Sequence, residues 1–596
     1  MAEDGLGGRV AGWCGEVNYV RHRTPAGLPR QIFLLTAVLV TMLWPGVGIQ
    51  AGHAQVAASP ALPGSVQPGA VERSLQNKLP APAQDRVSIP APQGFEPPAG
   101  AAGFRFTLHA VTITGAQALG DAALRSSYAA LLGKDITLAD LYGVARAITD
   151  LYSRRGYALS FAMVPAQEID KARGDVRIEV IEGYIDNVRY NGRTSPVAEQ
   201  YGAAITRSRP LRTADIERAL LLMNDLPGTT ARGVFQHDDS LPVGSARLDV
   251  LTDTAPVTAN VQIDNRGTAA FGPWRAFANL GLNDVLGHGE SLNLTGLKAL
   301  NANALNFGSA RASLPVGGDG WMLSADATYT DAHPGTPLLT SAGFASSGWT
   351  ASLSASDPVL RGRDESLWLW GGVEAKWLRS DLASAPNSRD HIYGLQAGAI
   401  WNRRDDSGVT AANLTLTQGL PVFGATGRAS ALRSRGLGSG TFTDVLASVA
   451  RQQEIGGNFE LYLAGSGQFA SRGLLAPEQC GYGGSGIGRG FDANEIVGDH
   501  CLQGLVELRY NAPVTGGFLT HLQPYVSYDA GAVWNDGPAM PGAYGSAAAD
   551  STAVGLRAGV LNRFDLALEY ALPIGRDVAL EGNRDSRVFL TLGVTL

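Results

Sequence analysis

The chain has 596 residues, too many for one ordinary soluble domain, so we expect two or more domains. Its formal net charge of −7 argues against nucleic acid as a partner, because nucleic-acid-binding proteins usually carry a basic patch. Glycine accounts for 75 of the 596 residues, roughly 13%, whereas an average protein contains about 7% glycine. Past residue 54, no apolar run reaches the roughly 18 residues of a membrane-spanning helix. These features favour many short β-strands over a helical membrane protein.

The N-terminal segment 1–54 has the pattern of a secretory signal peptide with an extended positive region. Arginines precede an apolar stretch at 32–44, and small residues precede a cleavage site after Ala54. A membrane anchor is the alternative, but the apolar stretch is short for a span. Residues 55–103 are rich in Pro, Ala, Gln and Gly and predict a linker, with a weakly indicated short helix at 71–78.

Residues 104–182 predict a small α+β module. Thr137 and Asp140 have the spacing of a capping box, which begins a helix whose apolar stripe covers residues 141–152. Residues 176–180 alternate apolar and charged side chains, as a half-buried strand does.

The same pattern repeats in residues 183–256. Gly192 follows Gly115 by 77 residues, and Thr213 follows Thr137 by 76 residues. Thr213 again precedes an apolar helix face. Two related α+β modules of about 75 residues each are therefore predicted ahead of the C-terminal region.

Residues 257–596 alternate apolar and polar side chains in many segments. In two of them charged residues occupy the second face: Glu507 and Arg509 oppose Val506, Leu508 and Tyr510, and Asp565 and Glu569 oppose Phe564, Leu566, Leu568 and Tyr570. This alternation predicts a transmembrane β-barrel, whose outer side chains meet lipid while the inner ones meet water. A soluble β-sandwich also alternates, but about 340 residues exceed an ordinary sandwich. At about 20 residues per strand and connection, we expect about 14 to 18 antiparallel strands in a mostly β protein.

The glycine-rich segment 480–501 contains no recognisable catalytic motif. It lacks the Gly-Lys-Ser/Thr ending of a phosphate loop, and Ile487 stands where a G-x-S-x-G motif around Ser485 needs its last glycine. The nine histidines include no HExxH pattern, so we expect no catalytic residue, no metal and no cofactor. Cys480 and Cys501 remain after removal of the signal peptide, and an oxidising compartment predicts a disulfide between them, with two free thiols as the alternative.

Within this segment, Gly488-Arg489-Gly490-Phe491 resembles the VRGF or VRGY loop motif of two-partner secretion transporters. These are the TpsB, or ShlB/FhaC/HecB-type haemolysin activation/secretion, proteins. Gly488 departs from the motif because it replaces Val, whereas the next three residues match. The order of parts is also similar over about residues 104–596. The resemblance implies that the two modules are POTRA domains and that the barrel has 16 strands.

In that family the motif lies on a long loop folded into the barrel lumen, and its arginine pairs with an aspartate of the barrel wall. The matching wall segment here resembles residues 523–534. Alternation points Val526 and Tyr528 outward and Asp529 into the lumen. The resemblance thus implies a charge-assisted pair between Arg489 and Asp529, and two separately solvated charges are the alternative.

The resemblance also implies a location and a function. We expect a monomeric barrel in the lipid of a Gram-negative outer membrane, with its POTRA domains in the periplasm. There they would bind a specific secreted partner of the haemolysin, adhesin or haem-binding type by strand addition, and the barrel would export it without ATP. One alternative is an outer-membrane assembly factor, which usually carries more than two POTRA domains. The other is a passive porin, which lacks such modules.

Overall fold

The computed structural model describes residues 64–67, 69, 96–236, 240–300, 304–537 and 545–596. The predicted signal peptide, most of the predicted linker and the helix expected at 71–78 lie outside these residues. No helix in the described part of the chain is both long and apolar enough to cross a membrane. Along the chain, two small modules precede a closed sheet.

The first module packs two helices against a three-stranded sheet and a two-stranded ribbon. Its elements are β1 (Arg105–Thr107), β2 (Ala110–Thr114), α1 (Asp121–Arg125), β3 (Asp135–Thr137), α2 (Leu138–Arg154), β4 (Phe161–Met163) and β5 (Asp175–Ile181). The predicted capping box is confirmed: the Asp140 N–H donates to Thr137 Oγ1 at 3.2 Å, and the Thr137 N–H donates to Asp140 Oδ2 at 2.8 Å. Leu141, Ile148 and Tyr152 from the predicted stripe are fully buried in the module core.

The second module has the same sheet order. Its elements are β6 (Tyr184–Asn191), α3 (Pro196–Arg207), α4 (Thr213–Asn224), β7 (Thr229–Gln236) and β8 (Ser245–Thr254). In both sheets the first and last strands run parallel, and the remaining strand pairs antiparallel with the last. Helix α3 was not predicted, although Ser195 accepts the Ala198 N–H at 3.3 Å as an N-cap and Pro196 takes the first helical position.

Sixteen antiparallel strands form a closed barrel, which confirms the expected fold class. The strands are β9 (Val257–Asp264), β10 (Arg275–Asn283), β11 (Ser291–Ala299), β12 (Leu305–Val316), β13 (Trp321–Ala332), β14 (Ala345–Arg361), β15 (Glu365–Leu382), β16 (Ala385–Asp405), β17 (Gly408–Gly419), β18 (Thr443–Gly456), β19 (Phe459–Ala470), β22 (His500–Tyr510), β23 (Leu519–Trp534), β24 (Ser546–Val560), β25 (Phe564–Pro573) and β26 (Arg587–Thr595). Two further short strands, β20 (Cys480–Tyr482) and β21 (Ile496–Gly498), lie in the connection between β19 and β22. Strand β26 pairs with β9, so the sheet has no open edge.

The two faces of the barrel differ as the alternation predicted. On β23, Val526 and Tyr528 are 49% and 47% exposed on the outer face, whereas Ser527 and Asp529 between them are 3% and 0% exposed. Aromatic side chains form a band near each end of the outer face, as they do at the two interfaces of a bilayer. One band includes Trp321, Phe459, Tyr510 and Phe564, and the other includes Trp349, Trp377, Phe469 and Trp534.

Three arginine contacts fasten the second module to one end of the barrel, which we call the proximal end. Arg361 of β14 forms a bidentate ion pair with Asp225, with N···O distances of 2.7 and 2.8 Å. Arg218 of α4 donates to the Pro358 carbonyl at 2.9 Å. Arg193 pairs with Asp284 in the β10–β11 turn, with Nε 3.1 Å from Oδ2. The second module therefore lies directly below the barrel opening, and the opposite end is the distal end.

Helix α2 gives a test of the capping box. Thr137→Ala is expected to lower the free energy of opening of α2 by about 1 kcal/mol, because its first amides lose an acceptor. Hydrogen bonds from the Thr137 backbone and side chain hold the pKa of Asp140 below its usual value. The contribution of Asp140 should therefore be complete above about pH 4 and lost as the pH falls through the lowered pKa. Hydrogen exchange of α2 amides in the full chain measures both effects.

The matched control for this test is Asp150→Ala on the exposed face of the same helix, which should change the opening energy by less than about 0.5 kcal/mol. An equal loss of protection in the two variants would contradict the role of the cap.

Candidate functional site: the lumen loop and its barrel wall

The connection from β19 to β22, residues 471–499, folds back into the barrel and forms a site that we call the lumen loop. Its strands β20 and β21 pair as a short hairpin, and the matched motif lies at the hairpin tip. The tip is enclosed: Phe491 is 2% exposed and packs against Tyr482, with ring centroids 5.9 Å apart. Gly490 has no room for a side chain, because a Cβ there would lie 2.8 Å from the Pro573 nitrogen and the Ser551 Cβ.

The Arg489 side chain is buried against three strands of the barrel wall. Its guanidinium forms an ion pair with Glu507 of β22, and its Nη1 lies 3.3 Å from the Ser527 hydroxyl and 3.5 Å from Glu569 Oε2. The guanidinium carbon lies 5.3 Å from the centre of the Tyr525 ring, within reach of a cation–π contact.

Glu507 lies in contact with three guanidinium groups. Besides Arg489, it accepts hydrogen bonds from Arg509 Nε at 2.5 Å and from Arg557 at 2.9 and 3.1 Å. Glu507 is fully buried, and a buried carboxylate is tolerated only when it is well paired. Further carboxylates offset the remaining positive charge, since Arg509 also pairs with Glu460 at 2.9 Å.

Asp529 contacts Arg489 in a different way from the predicted side-chain pair. Its carboxylate accepts the main-chain N–H of Arg489 at 3.3 Å, the Tyr482 hydroxyl at 2.7 Å and the Ser551 hydroxyl at 2.6 Å. Asp529 therefore orients the loop backbone, whereas Glu507 takes the guanidinium. Glu507 is directly opposite Ser527 in the ladder. Ser527 lies two residues, or about 7 Å, along β23 from Asp529. An extended arginine side chain spans this distance, so the Arg489 backbone can contact Asp529 while its guanidinium contacts Glu507.

Two other contacts anchor the base of the loop. Cys480 at the start of β20 and Cys501 of β22 are joined by a disulfide, with Cα atoms 6.2 Å apart. Glu478, two residues before Cys480, crosses to β15, where Lys376 Nζ lies 2.8 Å from Glu478 and 2.9 Å from Glu374. The loop is thus fastened at its base as well as at its tip.

A short N-terminal turn, Gly64–Val66, also lies inside the barrel near the distal end. Val66 is 2% exposed, in an apolar cluster that we call the distal cluster. The cluster includes Phe271, Leu297, Leu305, Phe307, Leu339 and Phe344. A Cβ at Gly64 would lie 2.2 Å from the carbonyl oxygen of Asn494, so this turn packs tightly against the lumen loop. Part of the predicted linker therefore contacts the candidate site.

Comparisons with known proteins agree with this architecture. The family model described as haemolysin secretion/activation protein ShlB/FhaC/HecB matches residues 247–558. The model described as POTRA domain, ShlB-type, matches residues 106–183. The first match covers more than half of the chain, so the chain belongs to the ShlB/FhaC/HecB family. Its barrel lies in the outer membrane, with the POTRA region in the periplasm.

Individual relatives fall into two named groups. The heme/hemopexin transporter protein HuxB of Haemophilus influenzae is 28% identical over 180 residues, which cover 29% of this chain and 31% of HuxB. The match thus spans about a third of that relative. The outer membrane transporter CdiB of Escherichia coli is 25% identical over 469 residues, which cover 74% of this chain and 77% of CdiB.

Two solved structures share the fold. CdiB from Escherichia coli aligns with a TM-score of 0.68 at 22% identity, over 88% of this chain and 95% of that one. CdiB from Acinetobacter baumannii aligns with a TM-score of 0.59 at 16% identity, over 95% and 97%. Because the POTRA region is periplasmic, the proximal end of the barrel, next to the modules, faces the periplasm, and the distal end faces the cell exterior.

The alternation pattern placed Glu507 in the lumen but did not indicate that it would bind Arg489. Glu569, Lys376 and Glu478 were not identified as site residues either. Alternation indicates a lumen-facing position for such charges, but a charge that faces water needs no partner, so the pattern did not mark the ones that the loop buries and pairs. Which of them pair depends on the depth that the loop reaches, and no local pattern reports this.

The charge cluster predicts a strong effect of one substitution. Glu507→Ala leaves Arg489, Arg509 and Arg557 close together without their shared carboxylate and should destabilise the folded barrel by about 3 to 5 kcal/mol. The temperature at which the folded band converts to the unfolded band on a gel, in detergent, should fall clearly. Glu454→Ala, an exposed carboxylate at the proximal end, is the control and should leave that temperature unchanged. Equal temperatures for the two variants would argue against a central role for Glu507.

Proposed function

We propose that this protein exports a specific partner protein across the outer membrane through its barrel, without ATP. The observation that carries the proposal is a wide barrel with a loop fastened inside it, directly above a periplasmic module. A 16-stranded barrel is wide enough for an aqueous channel. A narrow structural barrel would have no room for such a loop.

The described residues of the POTRA region contain edge strands to which the partner could add. In the second module, β7 is an edge strand of eight residues, and it begins next to the barrel, because a Cβ at Gly228 would lie 2.6 Å from the Asn283 side chain. An extended segment of the partner would add to such an edge through backbone hydrogen bonds, which tolerate varied sequences. It would then lead towards the barrel opening.

The partner is a secreted exoprotein of the haemolysin, adhesin or haem-binding type. Support comes from family membership and from relatives that are named as transporters, one of them for heme/hemopexin. The test is to express the transporter with the exoprotein from the neighbouring reading frame and to assay that exoprotein in the medium. Release that depends on the transporter is expected, and no release from a correctly inserted barrel would contradict the proposal.

Export should depend on the tip of the lumen loop. Arg489→Ala and Asp529→Ala each remove a contact that holds the tip, and each should reduce released partner about tenfold or more, which corresponds to about 1.4 kcal/mol or more. The barrel should still insert, as judged by its heat-modifiable mobility on a gel. Arg584→Ala, which breaks an exposed ion pair with Asp577 in the β25–β26 loop, is the control and should export normally. Normal export by both tip variants would refute the role of this contact.

The disulfide predicts a specific peptide. Digestion of the mature protein without reduction should yield the peptide of Cys480 covalently linked to the peptide of Cys501, because the oxidising periplasm allows the bond to form. Mass spectrometry before and after reduction detects the link. Two alkylated, unlinked peptides from protein trapped without reductant would show that the bond is absent.

A further inference from the structure

The inner surface of the barrel has two chemically different walls. The wall of β22 to β25 is covered by the lumen loop, and Glu507, Asp529 and Ser551 on it are fully buried. The wall of β11 to β14 lies away from the tip contacts, and its lumen-facing side chains near mid-height are only half buried. We call this second surface the polar track.

Ladder register shows that the polar track is built of rows of small hydroxyl side chains. Ser313 of β12 is directly opposite Ser324 of β13, and Ser324 is directly opposite Ser354 of β14. The hydroxyls of Ser313 and Ser324 lie 3.1 Å apart. The next row contains an ion pair between Arg311 and Asp326, whose side chains are 61% and 22% exposed, so these charges remain hydrated.

The polar track connects the periplasmic module to the distal cluster. At its lower end, the β12–β13 turn touches the second module, since Arg218 donates to the Asp319 carbonyl at 3.0 Å. At its upper, distal end, the lumen-facing side chains of the same strands are apolar. Leu297, Leu305 and Phe307 are buried there with Val66. Within the described residues, the track thus begins next to the periplasmic module and ends beneath the distal cluster at the exterior side.

We propose that the exported polypeptide moves along the polar track, beside the lumen loop, while the loop tip and disulfide stay in place. This inference rests on the proposed function and names its path. Transit needs contacts that are favourable enough for entry and weak enough for release. Hydroxyl groups exchange hydrogen bonds between water and peptide groups with only a small net gain in free energy.

The opposite wall is unsuited to this task because its groups are already engaged. The carboxylates that hold Arg489 are buried and paired, and breaking such pairs is strongly destabilising because it leaves a buried charge without a partner. Lys376 and the disulfide between Cys480 and Cys501 hold the base of the loop as well. A chain that passes along β11 to β14 requires none of these contacts to break.

Cross-linking from one introduced free cysteine, with the Cys480–Cys501 disulfide kept, tests the path during export. The probe is an N-terminal fragment of the exoprotein from the neighbouring reading frame, with one cysteine and a folded, disulfide-closed domain behind it that stalls in transit. Ser324→Cys and Ser354→Cys lie on the polar track, Gln503→Cys lies on the loop-covered wall, and Ala325→Cys faces lipid next to Ser324. We expect adducts with the probe from the two track positions at least about tenfold more often than from the other two, a ratio equivalent to about 1.4 kcal/mol.

A second measurement, made without any exoprotein, shows which wall of the barrel lumen is open. In planar bilayers, a bulky maleimide–polyethylene glycol on Ser324→Cys should reduce ion conductance, whereas exposure of the Gln503→Cys protein to the same reagent should change it little. Adducts mainly from Gln503→Cys, or a larger loss of conductance after the reagent is added to the Gln503→Cys protein, would overturn the proposed path. The proposed export function would still stand in that case. If wild-type protein exports no exoprotein at all, the proposed function fails, and the conductance result still decides which wall is open.

Discussion

Glu507 and the three guanidinium groups around it hold the lumen loop against the barrel wall. A carboxylate with no exposed surface is stable in a membrane protein only if positive charges and hydrogen bonds replace the water that it loses. One of its partners, Arg489, comes from the loop, and the other two, Arg509 and Arg557, come from the wall. Without the loop, Glu507 would therefore lack one of its three positively charged partners, and Arg489 of the loop supplies it.

Separate contacts around this cluster hold the backbone, the tip and the base of the lumen loop. Asp529 accepts a hydrogen bond from the loop backbone, and the lack of a side chain at Gly490 lets the tip approach the wall. The Cys480–Cys501 disulfide and the ion pair between Lys376 and Glu478 fasten the base. Among the described residues, the lumen is therefore asymmetric, with one charged wall covered by the loop and one hydroxyl-rich wall whose side chains are only half buried. The second module sits beneath this opening through its arginine contacts, so that a partner bound to its sheet edge would start close to the polar track.

The fold followed from the sequence wherever one local rule was decisive. Alternation along β22, β23 and β25 assigned the lipid and lumen faces, and the Thr137–Asp140 spacing located the start of α2. Helix α3 was not predicted because small residues, Ala198 and Gly202, supply part of its buried face and weaken the apolar pattern, although the spacing of that face is helical.

The site was predicted only in part. The resemblance identified Arg489 and Asp529, and the structure brings the two residues together, but through the main chain of Arg489. Selection of Glu507 as the guanidinium partner depends on how far the hairpin descends, which is set by long-range packing of Phe491 and Gly490. Glu478 and Lys376 are 102 residues apart, and no short pattern links them.

A double-mutant cycle measures whether Glu507 holds the guanidinium of Arg489 in the folded barrel. The stability of the folded barrel in detergent would be measured for Arg489→Ala, Glu507→Ala and Asp529→Ala singly and for the two double variants that contain Arg489→Ala. A coupling energy of about 1.5 kcal/mol or more is expected between Arg489 and Glu507. A smaller coupling is expected between Arg489 and Asp529, because Arg489→Ala keeps the main-chain N–H that donates to Asp529. Negligible coupling to Glu507 together with strong coupling to Asp529 would contradict this role of Glu507.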